Sequence, residues 1–241
     1  MGTSSSYSAP PSWGELKTQV TRAAGNATRT PAATAAVLRN FIRENGGARR
    51  VARSGGVIGH PRAAQLTASR LGAFISDVAS VGLDEALTRA GWKDLIGRPV
   101  HELLNAMIDR LTGGASTIDE VDARNALAKL EDRLLREAAS PEDVERILGN
   151  EASNLEPLLA EFFGYYIYEQ FCRVFFERLV QRVGEERAAS FLAEIEALIA
   201  STLANRTVGR NLTDIDWHGK DGHDLIADIM ETTLQVFETE G

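Results

Sequence analysis

A single stretch, Leu155–Val183, limits this chain more than any other. Eight of its sixteen aromatic residues lie between Phe162 and Phe176, namely Phe162, Phe163, Tyr165, Tyr166, Tyr168, Phe171, Phe175 and Phe176. With Leu158, Leu159, Ile167, Val174, Leu179 and Val180 they cover nearly every face of a helix, and a helix apolar most of the way round is one enclosed by others. Asn154 stands at the N-cap position, Pro157 falls in the first turn, and Gly184 provides the stop. Glu169, Arg173, Glu177 and Gln181 form one polar seam at i, i+4 spacing, where neighbouring charges can pair. The same charges interrupt the apolar run before the ~18 residues a membrane span needs, so no membrane role is expected.

Elsewhere the pattern is helical throughout. Ser12-Trp13-Gly14-Glu15 has the form of a capping box opening a first helix. Thr30-Pro31 starts a second with Val37, Leu38, Phe41 and Ile42 on its apolar face, and Gly46-Gly47 ends it. From Arg62 the spacing predicts helices over 62–80, 83–90, 99–111, 118–138 and 141–148, with start signals at Pro99, at Thr117 with Glu120, and at Ser140-Pro141 with Asp143. A helix over 185–203 carries Phe191, Leu192, Ile195, Leu198 and Ile199, and a last helix opens at Asp221 or Asp224. The fold class that follows is an all-α, multi-helix globular bundle built around a long buried aromatic-rich helix. Residues 1–12, MGTSSSYSAPPS, read as a flexible tail and 13–241 as the helical domain, with Gly113-Gly114 marking where a lobe boundary near 113–116 would fall.

Charge is unevenly shared. The net charge is −8, yet residues 1–75 carry ten Lys and Arg against Glu15 and Glu44, a balance of +8, leaving −16 for the remainder. Two readings stay open. The basic third can meet nucleic acid or another phosphate-bearing partner, or it can dock on the acidic part of its own fold. Gly46–Pro61, GGARRVARSGGVIGHP, is the least helical part of the body. Its glycine-freed amides beside Arg49, Arg50 and Arg53 are suited to contacting an anion. It is neither a P-loop nor a dinucleotide fingerprint.

Catalytic and metal signals are weak. Asp214, Asp216, His218, Asp221, His223 and Asp224 crowd one loop, but His218 stands where a calcium loop needs Asp or Asn, and Leu225 where it needs the bidentate Glu. The five-residue spacing of His218 and His223 matches no common zinc site. A polar loop closed by a helix cap accounts for the cluster, so no metal or cofactor is expected. His60 and His101 lack evident partners. Cys172, the one cysteine, reads as a small core residue, excludes a disulfide framework and fits a reducing cytoplasm. No secretory signal is expected, and the protein is expected not to be an enzyme.

The opening is more informative. Removal of Met1 leaves Gly2 with a free α-amine of pKa about 7.7–8.0, partly neutral and nucleophilic at cellular pH. Gly2 has no side chain to obstruct an approaching active site. Met1–Ser6 also fits the myristoylation pattern M-G-x-x-x-[ST], although one acyl chain without a basic cluster anchors only marginally.

Met1-Gly2-Thr3-Ser4-Ser5-Ser6-Tyr7 resembles the opening of the QatB family, a component of the four-gene Qat anti-phage defence systems of bacteria. The Gly/Arg-rich segment after the first helices and the all-helical body with its aromatic-rich helix agree with that resemblance. It implies three partners: an ATPase, a QueC-like enzyme and a TatD-like nuclease. QueC-like enzymes activate a 7-deazaguanine carboxylate with ATP, and in related defence systems join the base to an N-terminal glycine. Carried over, Gly2 is the acceptor and Thr3, Ser4, Ser5, Ser6 and Tyr7 are the recognition sequence.

Overall fold

Helix signals in the sequence become eleven α-helices among the described residues of the computed structural model, which describes 12–113, 116–136, 138–204, 212 and 215–239. They are α1 Ser12–Gly25, α2 Pro31–Glu44, α3 Ala48–Ser54, α4 Arg62–Val81, α5 Leu83–Arg89, α6 Val100–Thr112, α7 Ile118–Leu135, α8 Pro141–Glu151, α9 Leu155–Val183, α10 Glu185–Ala204 and α11 Lys220–Thr239. Several start where local chemistry dictates. Thr30 accepts from the Ala33 amide with Pro31 at the first position. Thr117 with Glu120, and Ser140 with Asp143, close full capping boxes; each such cap contributes about 1 kcal/mol.

Three expected starts differ. The last helix, α11, opens at Lys220, ahead of Asp221 and Asp224. Pro99 precedes α6 instead of opening it. Asn154 occupies the N-cap of α9 but its side chain makes no capping bond, because a single 3-10 turn, Ala152–Asn154, feeds α8 directly into α9. Ser12 opens α1, with its side chain outside the described residues.

The long helix α9 is the axis, as its composition predicts. Its 29 residues extend about 43 Å at 1.5 Å per residue, and α10 and α7 pack along it most extensively. Enclosure is uneven along its length. Between Leu155 and Phe171 nearly every residue is buried, whereas beyond Phe171 only Phe175 and Leu179 are, and Phe176 is 49% exposed. The C-terminal third of α9 is therefore amphipathic. At its middle, Trp13, Phe41, Phe171, Phe175 and Phe191 from α1, α2, α9 and α10 form one ring cluster, with centroids 4.8 to 6.5 Å apart.

The polar seam on α9 reaches to neighbours as well as along the helix. Gln181 bonds Glu177 at 3.3 Å, but Arg173 turns to α7 and donates to Asp122 at 2.9 Å, while Asn125 of α7 donates to Glu169. Deeper in, the Tyr166 hydroxyl donates to Asp119 at 2.5 Å, Gln170 donates to Tyr166 at 2.7 Å, and the other Asp119 oxygen accepts from the Ala63 amide at the start of α4. Helices α9, α7 and α4 are thus joined by a hydrogen-bonded chain inside a largely apolar core, which fixes their register. Burial raises the Asp122 carboxyl despite Arg173, and raises the Tyr166 hydroxyl well above its ordinary value, so the tyrosine remains a donor. Helix α4 is a second hub, touching α5, α6, α7, α8, α9 and α11.

Between α4, α6, α7 and α8, Glu131 lies in an apolar groove with Leu71, Met107, Leu127 and Leu130. Burial, reinforced by Asp132, pushes its carboxyl up from 4.5 to about 7. A folded value above the unfolded one means that ionised Glu131 opposes folding. Its cost is absent below about pH 4.5, grows as pH rises towards 7, and is constant above. Replacing Glu131 with Gln should therefore stabilise the protein at pH 8 by about 1–2 kcal/mol, the shift being discounted for partial solvent screening. The two proteins should converge near pH 5 in paired thermal melts; an equal difference at both pH values would exclude this origin.

Candidate functional site

Gly2 and Thr3–Tyr7, the residues the sequence singles out for modification and recognition, lie outside the described residues. The other named segment is described in full. Far from being the least helical part of the body, the Gly/Arg stretch holds α3, a seven-residue helix bounded by Gly47 and Gly55, with φ of 84° and 82°. Buried Asn45 closes the turn behind it, accepting from the Ile58 amide through Oδ1 and from the Val57 amide through its carbonyl.

Anions do meet this segment, and they come from the protein itself. Glu238 of α11 accepts from the Ala48 amide at the start of α3, at 3.2 Å. Arg53 pairs with Asp228 and, at 2.9 Å, with Glu231, also on α11; the Glu231 bond keeps the guanidinium still more firmly protonated. Arg43 donates to the Glu238 carbonyl, and Arg29 grips Glu194 of α10 at 2.5 Å. The basic first third is docked, in part, on the acidic remainder. Arg49 and Arg50 stay exposed on α3.

The aspartate/histidine loop behaves as helix punctuation. Asp216 accepts from the amides of His218 and Gly219 just before α11, and His223 Nδ1 donates to the Gly219 carbonyl at 2.7 Å. Asp214 lies outside the described residues. Among the described residues no group of three or more His, Cys, Asp or Glu could hold a metal ion. Cys172 is half-buried, and burial pushes its thiol up to about 12, so it stays protonated and unreactive at neutral pH.

What sequence reading does not single out is a recess of about 440 Å³ between α4, α5 and α6, beside the loop before α11. Arg70, Phe74 and Asp77 reach it from one face of α4, at i, i+4 and i+7. Arg89 lines it from α5 and Trp92 from just beyond that helix, Arg110 from α6, and His218 from the loop before α11. The rings of Phe74 and Trp92 lie 5.2 Å apart, and the Arg110 guanidinium sits 5.9 Å from the Trp92 ring centre. Arg110 is held in a two-point pair by Asp94, at 2.5 and 3.0 Å, which holds the Asp94 carboxyl below its ordinary range. Arg89 is looser, 3.3 Å from Asp77 and 3.6 Å from Glu85. Arg70 donates to the Leu111 carbonyl at 3.1 Å and has no carboxylate partner among the described residues. The α4 spacing was visible in the sequence, but nothing local says that residues 70, 92, 110 and 218 converge.

The fold thus defines an all-α bundle with a basic, aromatic-walled recess, and no described helix is long and apolar enough to cross a membrane. Residues 46–237, about four-fifths of the chain, match the family model of QatB, described as Qat anti-phage system associated protein QatB. The chain belongs to the QatB family, which gives it a role in the Qat anti-phage defence system and makes the other Qat components its expected partners. No curated protein and no solved structure matches it significantly.

Proposed function

We propose that this QatB-family protein is a non-enzymatic component of the defence complex whose Gly2 α-amine accepts a deazaguanine-type group from a QueC-like partner. The observation that carries the reading is the pairing of family membership over 46–237 with the opening Met1-Gly2-Thr3-Ser4-Ser5-Ser6-Tyr7, which lies outside the matched stretch. Attack of the neutral amine on an ATP-activated deazaguanine carboxylate forms an amide; the activating group leaves with its bonding electron pair and the nitrogen sheds a proton. Helix α1 begins at Ser12, and the ten residues from Gly2 can span at most about 35 Å. The partner's active site must therefore come within that distance of the start of α1. The internal pairing of Arg29, Arg43 and Arg53 argues against the alternative, an adaptor that grips nucleic acid through the basic third.

Intact-protein mass after co-expression with the neighbouring genes tests the proposal. The expected result is a deazaguanine-sized increment on the Met1-free chain, lost when the QueC-like enzyme is inactivated. Gly2→Val should hinder the adduct, Gly2→Pro should block it more severely through its secondary amine, and a retained N-terminal extension should abolish it. A lipid-sized increment independent of the neighbouring genes would indicate myristoylation instead. An unmodified Gly2 amine beside an active partner and its substrate would overturn the reading.

A further inference from the structure

We propose that the recess between α4, α5 and α6 binds a nucleoside monophosphate. Three features lead there. The first is the unpaired cation. Arg70 is partly buried, one of its nitrogens is fixed by the Leu111 carbonyl, and no described carboxylate neutralises it. A guanidinium withdrawn from water without a counter-charge is unfavourable, and the planar fork it presents suits two phosphate oxygens at once. Arg89, at the rim and half-exposed, is held only by long contacts to Asp77 and Glu85, so it can turn to the same phosphate.

The second feature is the wall. Trp92, partly exposed, supplies the aromatic face, buried Phe74 backs it at 5.2 Å, and Arg110 is locked by Asp94 where it covers part of Trp92 and carries little uncompensated charge. Its role is to hold the indole in place, and a planar base stacks on such a surface whatever its identity. The third feature is Asp77, an acceptor in the same recess. A carboxylate repels bare phosphate but takes hydrogen bonds from a base amine or a ribose hydroxyl. Cation, aromatic wall and acceptor together favour a whole nucleotide over either of its halves. About 440 Å³ is room for one such molecule and not for a duplex.

Titration of the full chain with GMP, AMP, adenosine and inorganic phosphate tests this. Trp13 and Trp217 are buried at 4% and 5% while Trp92 is only partly so, which makes tryptophan quenching a reporter of the recess, with calorimetry as the second readout. The nucleotides are expected to bind roughly tenfold more tightly than phosphate or adenosine. Arg70→Gln should weaken them by roughly tenfold, the scale of one charge-assisted contact. Trp92→Leu should erase the advantage over phosphate, and Arg49→Gln, remote on α3, should change nothing. Should Arg70→Gln fail to give the wild-type circular dichroism spectrum, Arg89→Gln at the exposed rim carries the same expectation. Absence of nucleotide binding at about 1 mM, or binding unaltered in a folded Arg70→Gln or Arg89→Gln protein, would overturn the proposal.

Discussion

Replacing Phe171 with Ala is expected to lower the free energy of unfolding by about 3–5 kcal/mol, the range for emptying a buried aromatic site. Phe171 is fully buried and touches the rings of Phe41, Phe175 and Phe191, at centroid distances of 5.3, 4.8 and 6.4 Å. Its ring therefore joins α2 and α10 to the central helix. No single neighbour can collapse into the space without abandoning a partner on another helix, which places the cost at the upper part of that range. For a chain of this size the melting temperature should fall by roughly 10 °C. Phe176→Ala, five residues further along α9, is the matched comparison. Its side chain is 49% exposed, so its loss should cost no more than about 0.5 kcal/mol. Similar costs at the two positions, measured by chemical denaturation, would contradict the aromatic cluster as the joint of the fold.

Gly164→Val should be nearly as damaging, for the opposite reason. Gly164 lies on α9 where it packs against α10. A Cβ there would stand 2.7 Å from Leu203 Cδ1 and 2.8 Å from Ile199 Cγ2, both on buried side chains of α10. Two further methyl groups have nowhere to go unless the helices part, and the expected loss is about 3 kcal/mol. Gly164→Ala should lose less, because alanine's better helix propensity, about 1 kcal/mol, offsets part of the overlap. In α8, Gly149 has nothing within 4 Å of its would-be Cβ, so Gly149→Ala should stabilise by up to about 1 kcal/mol. Equal behaviour of Gly164→Ala and Gly149→Ala in urea melts would show that α9 and α10 are not in such close contact.

These expectations separate two kinds of information in the chain. Helix starts and lengths follow from interactions over three or four residues, so Thr30, Thr117 with Glu120, and Ser140 with Asp143 could be read directly. The central position of α9 could be read as well, since a segment apolar on nearly every face must be covered by something. The acceptor reading of Gly2 is a different matter: it joins the opening residues to what membership of the QatB family implies, and helix periodicity has no part in it.

Tertiary structure decided what covers what. Pairs such as Arg53 with Asp228 and Arg29 with Glu194 link residues more than 160 positions apart. In the sequence they appear only as a basic third and an acidic remainder, compatible with an internal partner or an external one. The α3 segment shows why. Its glycines and arginines announce affinity for an anion, but only packing against α11 supplies Asp228, Glu231 and Glu238 from within. Phe176 was indistinguishable by type from Phe175, and the turn of the helix leaves it in water. The recess is the extreme case. Arg70, Trp92, Arg110 and His218 obey no common spacing, and only the way α4 gathers α5, α6 and the lead-in to α11 brings them around one volume. Local sequence sets the helices because its forces act within a turn; the site depends on which helices meet, and that is settled by the core as a whole.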